Sequence, residues 1–298
     1  MKCYESCKLC PRRCGVNRYE KAGYCGEGAT LRAAKAYLHM WEEPCISGER
    51  GSGTVFFSGC SLRCVYCQNS DIATGGAGVE IDARRLSGIF IELQDKGAHN
   101  INLVTPTHFA GHIIKAIDLT RGRLNIPVIY NCGGYESIET LKLLDGYIDI
   151  YLPDFKYMDK SLAKKYSNAP DYPETCMAAI EEMTRQTGRR NVFDADGMMR
   201  RGVIVRHLVL PGAVDNSKAV IKHLYNTYGN DIYMSIMNQY TPLPRVKAYP
   251  ELFRRVKDAE YDEVLDYAAS LGVENAFVQE GGAVSESFIP EFDGAGIV

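Results

Sequence analysis

Thr54-Val55-Phe56-Phe57-Ser58-Gly59-Cys60-Ser61-Leu62-Arg63-Cys64-Val65-Tyr66-Cys67 joins a run of β-branched and aromatic residues to three cysteines spaced C-x3-C-x2-C. The run Thr54–Ser58 reads as a short buried strand. The loop that leaves it carries three thiols close enough in sequence to converge on one metal centre. A structural zinc site closes with four protein ligands. Cubane iron–sulfur clusters are also usually held by four cysteines. Three cysteines without a neighbouring fourth point to an open iron at which a substrate or cofactor coordinates. A zinc site and three structural thiols are the alternatives.

Downstream of this loop, short apolar runs alternate with longer periodic segments. Asp82–Lys96 reads as a helix, with Asp82 as N-cap and apolar residues at Leu86, Ile89, Phe90 and Leu93. Further strands are expected at Ile101–Val104, Pro127–Tyr130, Ile148–Leu152, Val203–Leu210 and Ile232–Ile236, with a last short one at Ala276–Val278. Helices are expected at Gly111–Leu119, Ser137–Leu144, Tyr172–Thr187, Ser217–Tyr228 and Pro250–Leu271. Strands and helices alternating at this spacing predict a parallel sheet with crossover helices. Six β/α units can be counted, too few for a full eight-unit barrel. The segment 188–202 breaks the rhythm and reads as a hairpin with Asp196-Gly197 at its turn.

The chain has 298 residues, 46% apolar and 24% charged, with a formal charge of −3. That balance excludes a generally basic nucleic-acid binder. No stretch approaches 18 apolar residues, so no membrane span is expected. No signal-peptide core precedes Cys10. Eleven cysteines are an odd count, which fits metal ligands or catalysts in a reducing cytoplasm better than a disulfide framework. Nine of them lie in the first 67 residues, dividing the chain into a cysteine-rich metal-binding segment, 1–50, and a regular α/β part, 51–298. Within the first segment Cys7, Cys10, Cys14 and Cys25 are spaced C-x2-C-x3-C-x10-C, a four-ligand set for either zinc or a second iron–sulfur cluster.

C-x3-C-x-Tyr-C at the end of the first strand resembles the radical S-adenosylmethionine superfamily. The phrases Gly51–Cys60, Tyr66–Asn69, Asn102–Phe109, Tyr130–Glu136, Asp149–Lys156, Arg206–Gly212 and Met237–Pro242 are similar to those of the uncharacterised relatives of pyruvate formate-lyase activating enzyme. The resemblance implies a partial (β/α)6 barrel of the radical SAM type with a cysteine-rich N-terminal extension. It implies that Cys60, Cys64 and Cys67 hold a [4Fe–4S] cluster whose fourth iron is chelated by S-adenosylmethionine. It implies reductive cleavage of that cofactor to a 5′-deoxyadenosyl radical that abstracts hydrogen. Implied partners are a reductant such as flavodoxin or ferredoxin and a protein substrate that receives a glycyl radical. Radical modification of a small molecule, peptide or RNA is the alternative activity. A non-catalytic iron–sulfur or zinc protein is the alternative class.

Parallel barrels gather their chemistry at the C-terminal ends of the strands. The cofactor-binding candidates there are Tyr66, Asn69, Thr105, Thr107, His108, Asn131, Gly133, Asp154, Lys156, Arg206 and Asn238. Where the family carries a Gly-Gly-Glu type segment, this chain offers Thr105, Thr107 and His108, which also suit a helix N-cap. His108 and His112 stand four apart but have no adjacent carboxylate to complete a metal site. Gly133 and Gly134 allow close backbone approach to a bound ribose or methionine. Arg206 and His207 should point to opposite faces of their strand. An interior Arg206 suits a carboxylate, of a ligand or of the protein itself. No residue is assigned to proton transfer.

Overall fold

Runs such as Ile150-Tyr151-Leu152-Pro153 have no polar face, so such strands need cover on both sides. A computed structural model, which describes residues 2–279 and 290–298, shows how that cover is supplied. The strands are β1 (Leu31–His39), β2 (Ser52–Phe57), β3 (Val79–Ile81), β4 (Ile101–Val104), β5 (Val128–Cys132), β6 (Ile150–Pro153), β7 (Val192–Phe193), β8 (Met199–Leu208), β9 (Tyr233–Met237) and β10 (Ala276–Val278). The helices are α1 (Pro44–Ser47), α2 (Ser70–Ala73), α3 (Ala83–Asp95), α4 (Ala110–Leu119), α5 (Ile138–Leu143), α6 (Lys160–Ser167), α7 (Tyr172–Thr187), α8 (Val214–Tyr228) and α9 (Asp258–Leu271).

The sheet runs β10-β9-β8-β6-β5-β4-β2-β1-β3 and stays open between its two edges. Every neighbouring pair from β2 to β10 along this path is parallel. β1 and β3 are antiparallel additions beside β2. The architecture is an unclosed α/β barrel with a cysteine-rich N-terminus, as expected.

Alternation along the strands builds two layers. Tyr130, Tyr151, Val203 and Val205 pack under the helices in the main core. Ile129, Ile150, Leu152 and Ile204 point the other way, onto Cys45 and Ile46 of α1. That single turn closes the lower barrel interior: Asn100 Nδ2 donates to Ile46 O at 2.8 Å and accepts from Ser52 Oγ through its other amide atom. On the outside, α3 buries Leu86, Ile89, Phe90 and Leu93 at helical spacing. Each such side chain contributes about 1.5–3 kcal/mol. Asp82 caps it, accepting from Arg85 N at 2.8 Å.

Several elements differ from the sequence reading, the short α1, α2 and β3 being absent from it. β1 lies inside the cysteine-rich segment, α6 fills the stretch after β6, and the helix expected from Pro250 splits. A short 3₁₀ turn covers Pro250–Leu252, and α9 starts afresh at Asp258, where Glu260 reaches back to Lys257 N at 2.9 Å. The 188–202 segment is the expected hairpin: β7 pairs with the start of β8, and Gly197 N donates to Asp194 O across the turn. Among the described residues no helix is long and apolar enough to cross a membrane.

Candidate functional site

The parallel strands end around a cavity of about 560 Å³, within the range of small-molecule sites. Cys60, Cys64 and Cys67 all line it, placed by the loop that leaves β2. Arg63 in this loop adopts a left-handed φ of 51°, which turns the chain between the first two cysteines. Burial raises the pKa of the Cys60 thiol, and the facing Cys64 adds to it. Burial, then Cys60 and Cys64, push Cys67 to about 12. Bare thiolates are thus disfavoured here, and a cationic metal centre would compensate them. Among the described residues no three ligating side chains gather closely enough to enclose one ion. Three cysteine thiols from one loop, all lining one cavity, are the donor type that iron–sulfur clusters take. The donor set therefore fits a cluster.

Lys156 and Asp154 form the polar wall beside the thiols. Lys156 Nζ donates to Asp154 Oδ2 at 2.5 Å. Burial works against the Lys156 ammonium, but Asp154 outweighs it and holds the pKa above the ordinary lysine value. Gly133 lies beside Lys156, where a Cβ would stand 2.8 Å from Leu62 Cδ1 and 3.8 Å from Lys156 Cε. At Gly134, with φ +76°, a Cβ would stand 2.1 Å from Asp154 O. The close approaches that these glycines permit are to the protein's own Leu62 and Asp154. Thr105 also lines the cavity and holds a left-handed φ of 58°, a strained state for a β-branched residue. Asn69, Asn131 and Tyr66 face the same space.

Deeper in the cavity, Arg206 points inward and is gripped by two carboxylates that the sequence reading missed. It donates from Nε and Nη2 to the two oxygens of Glu43, both at 2.8 Å, and also pairs with Glu42. Asn102 Nδ2 donates to Glu42 at 2.8 Å. Burial penalises the Glu43 carboxylate, yet the Arg206 guanidinium keeps its pKa below the ordinary value. His207 takes the opposite face, bonding Phe155 O at 2.7 Å and Ser217 Oγ at 2.8 Å beneath α8. Gln68, Ser235, Gln239 and Gln279 complete the polar lining, with Gln68 Nε2 on Gln239 O at 3.0 Å.

Other sequence candidates are engaged elsewhere. Thr107 donates to buried Glu136 at 2.8 Å. His108 donates from Nε2 to Ser58 O at 2.6 Å, and burial beside Arg18 lowers its pKa to about 3. His112 bonds Ala29 O at 2.8 Å, so the two histidines do not share a ligand position. Asn238 donates its backbone N–H to Gln279 at 2.7 Å.

The N-terminal cysteines sit beside the triad. A Cβ on Gly23 would stand 3.5 Å from both the Cys14 and Cys25 sulfurs. Cys25 and Cys7 both act electrostatically on Cys10, whose pKa burial pushes to about 12. Burial also raises Cys25. Cys60 N donates to Cys25 O at 3.1 Å, a direct backbone link between the two cysteine groups. Arg12 is sandwiched between Tyr24 and Tyr135 and donates to Ser61 O at 2.9 Å and Ser167 O at 2.8 Å.

A sequence model of the Radical SAM superfamily matches residues 54–223. An uncharacterised protein of Methanocaldococcus jannaschii is 28% identical over 274 residues, covering 89% of this chain and 75% of that one. Among solved structures, Streptococcus suis SuiB bound to S-adenosylmethionine aligns with a TM-score of 0.49 at 12% identity, over 74% of this chain and 48% of that one. SuiB bound to its precursor peptide SuiA gives 0.48 at 12% identity, over 74% and 46%. The chain thus spans about half the length of these solved proteins.

Proposed function

The chain belongs to the radical SAM superfamily, and from that premise we propose that Cys60, Cys64 and Cys67 hold a [4Fe–4S] cluster at which S-adenosylmethionine is reductively cleaved. The observation that carries this reading is that all three thiols open into the same cavity as the Lys156–Asp154 pair. When bound, the cluster and S-adenosylmethionine would supply one-electron cleavage of the cofactor and removal of a hydrogen atom from a substrate.

The protein's own part is positioning and exclusion of water. Lys156 and Asp154 offer one cation and one anion to a zwitterionic ligand, and Asn69, Asn131 and Thr105 offer neutral hydrogen bonds. Phe56, Leu62, Val104, Leu208 and Met237 wall the cavity with apolar surface. Arg206 is held by Glu42 and Glu43, so its role is to orient those carboxylates in the cavity.

For the substrate, we propose a peptide or protein segment, a glycine of a partner protein being the first candidate. Exposed Val278 at the cavity lining supports this, since it offers apolar contact to a macromolecule. A small molecule is the second candidate. RNA is disfavoured by the −3 charge. Cys7, Cys10, Cys14 and Cys25 are proposed to hold a second metal centre, iron–sulfur or zinc, supported by the convergence of Cys14 and Cys25 on Gly23.

The test is anaerobic reconstitution followed by dithionite reduction with S-adenosylmethionine. Roughly four irons and four sulfides should reside on the triad, and 5′-deoxyadenosine should accumulate. A triple alanine variant at Cys60, Cys64 and Cys67 should lose both, and the metal it retains identifies the N-terminal centre. A fully loaded, reduced protein that yields no 5′-deoxyadenosine, with or without candidate peptides, would overturn the reading.

A further inference from the structure

Cys64 is distinguished from Cys60 by what donates to it. Ser167 Oγ lies 2.9 Å from Cys64 Sγ, whereas Cys60 Sγ receives the Leu62 backbone N–H at 3.4 Å. A metal-bound thiolate carries no proton, so with the triad loaded the serine must be the donor. Its one proton is then used, and it can only accept from Tyr157 OH, 2.9 Å away. Tyr157 in turn accepts from Tyr66 OH at 2.6 Å. Tyr66, Tyr157 and Ser167 thus form a chain in which every proton points towards the sulfur. All four residues are buried. Aligned hydrogen bonds polarise one another, most of all in a low-dielectric interior.

The chain is held in place from three directions. α6 ends at Ser167, and Asn168 turns away in the left-handed region at φ 48°. Val65 N donates to Tyr166 O at 2.9 Å, tying the last turn of α6 to the cysteine loop. Arg12 bridges Ser61 O and Ser167 O from the N-terminal segment. The serine is fixed against the sulfur by other bonds and does not depend on its own to be there.

We propose that Ser167, backed by Tyr157 and Tyr66, is a positioning residue that raises the reduction potential of the cluster on Cys60, Cys64 and Cys67. This rests on the cluster reading above. Reduction adds one electron from an external donor, and no covalent bond forms or breaks. Negative charge on the ligating sulfurs grows in that step. A hydrogen bond to one of them stabilises the reduced state more than the oxidised state.

The test uses the full chain, reconstituted anaerobically, in a redox titration with dithionite and mediators read by electron paramagnetic resonance, without S-adenosylmethionine. Ser167→Ala is expected to lower the reduced-to-oxidised ratio at the wild-type midpoint roughly tenfold, about 59 mV for a one-electron couple. Tyr157→Phe keeps the ring but removes the backing hydroxyl, so it should shift the midpoint the same way by less. Ser167→Thr, which restores a hydroxyl, should return towards wild type. A Ser167→Ala protein with full iron and sulfide and an unchanged midpoint overturns the proposal. If that variant does not fold, an unchanged midpoint in Tyr157→Phe does so. A wild-type chain that takes up no iron on the triad defeats the cluster reading itself, and the iron count shows this before any potential is read.

Discussion

Glu136 is buried beneath the strand ends, and replacing it with glutamine should stabilise the protein increasingly as pH rises above 4.5. Its Oε2 accepts from Thr107 Oγ1 at 2.8 Å and Tyr130 OH at 3.1 Å. Burial is the dominant influence and raises its pKa from 4.5 to about 7, against the opposing hydrogen bonds from Thr107, Tyr130 and Cys132. The folded state therefore binds a proton that the unfolded state has released between those two values. Stability falls as pH rises through that window. Moving a carboxyl from 4.5 to about 7 withholds about 3 kcal/mol from the folded state once both states are ionised. Glutamine can keep the Thr107 and Tyr130 hydrogen bonds on its carbonyl oxygen and has nothing to ionise. Glu136→Gln should match wild type within about 1 kcal/mol at pH 4.5 and exceed it by about 3 kcal/mol at pH 8. Urea denaturation under anaerobic, reducing conditions at the two pH values measures the difference. An equal difference at both, or a variant weaker at both, would refute the assignment of the cost to this carboxyl.

Two further outcomes follow from the same geometry. Arg206→Met leaves Glu42 and Glu43 buried without their cation and should cost about 3–5 kcal/mol at pH 7. Because Arg206 depresses the Glu43 pKa, the stability it provides is present above the ordinary carboxyl value and lost on acidification, so the deficit should shrink below pH ~4.5 in a thermal-unfolding series. Gly134→Ala would place a methyl 2.1 Å from Asp154 O at φ +76°; a loss of roughly 3 kcal/mol or more in the same assay is expected, and a midpoint within 2 °C of wild type counts against the φ argument.

Much of this site was readable because its signals are local. The cysteine spacing lies on one loop, and Lys156 and Asp154 sit two residues apart at a strand end. α3 carries its buried residues at helical spacing, so one segment suffices to recognise it. β1 is different. Leu31-Arg32-Ala33-Ala34-Lys35-Ala36 is alanine-rich with poor intrinsic strand preference, and pairing with β2 makes it a strand. Glu42 and Glu43 were invisible for a related reason: Glu43 meets its cation 163 positions away. Thr107 and His108 follow a strand end as expected, but the 3₁₀ turn over Thr107–Phe109 commits them to Glu136 and Ser58. Sequence position located the turn without fixing which way its side chains face.

The N-terminal segment is joined to the barrel at several depths, and this bears on how its cysteines should be studied. Its strand β1 extends the sheet, and the residues after β1 supply Glu42, Glu43 and the turn α1 that fills the lower interior. Arg12 grips the cysteine loop and α6, and the Cys25 carbonyl accepts from Cys60 N. A change at Cys25 keeps the carbonyl that Cys60 N bonds, but any shift of the backbone around it is passed to Cys60, even if no electron ever passes between the two groups. Loss of iron from the triad in a Cys25→Ala variant would not separate an electron-transfer role from a structural one. Cys14 separates them better, because it shares the gap at Gly23 with Cys25 but is itself exposed. Cys14→Ala removes a proposed ligand of the N-terminal set at a residue away from the Cys25–Cys60 backbone bond, so a triad that keeps its iron there reports on the proposed N-terminal centre alone.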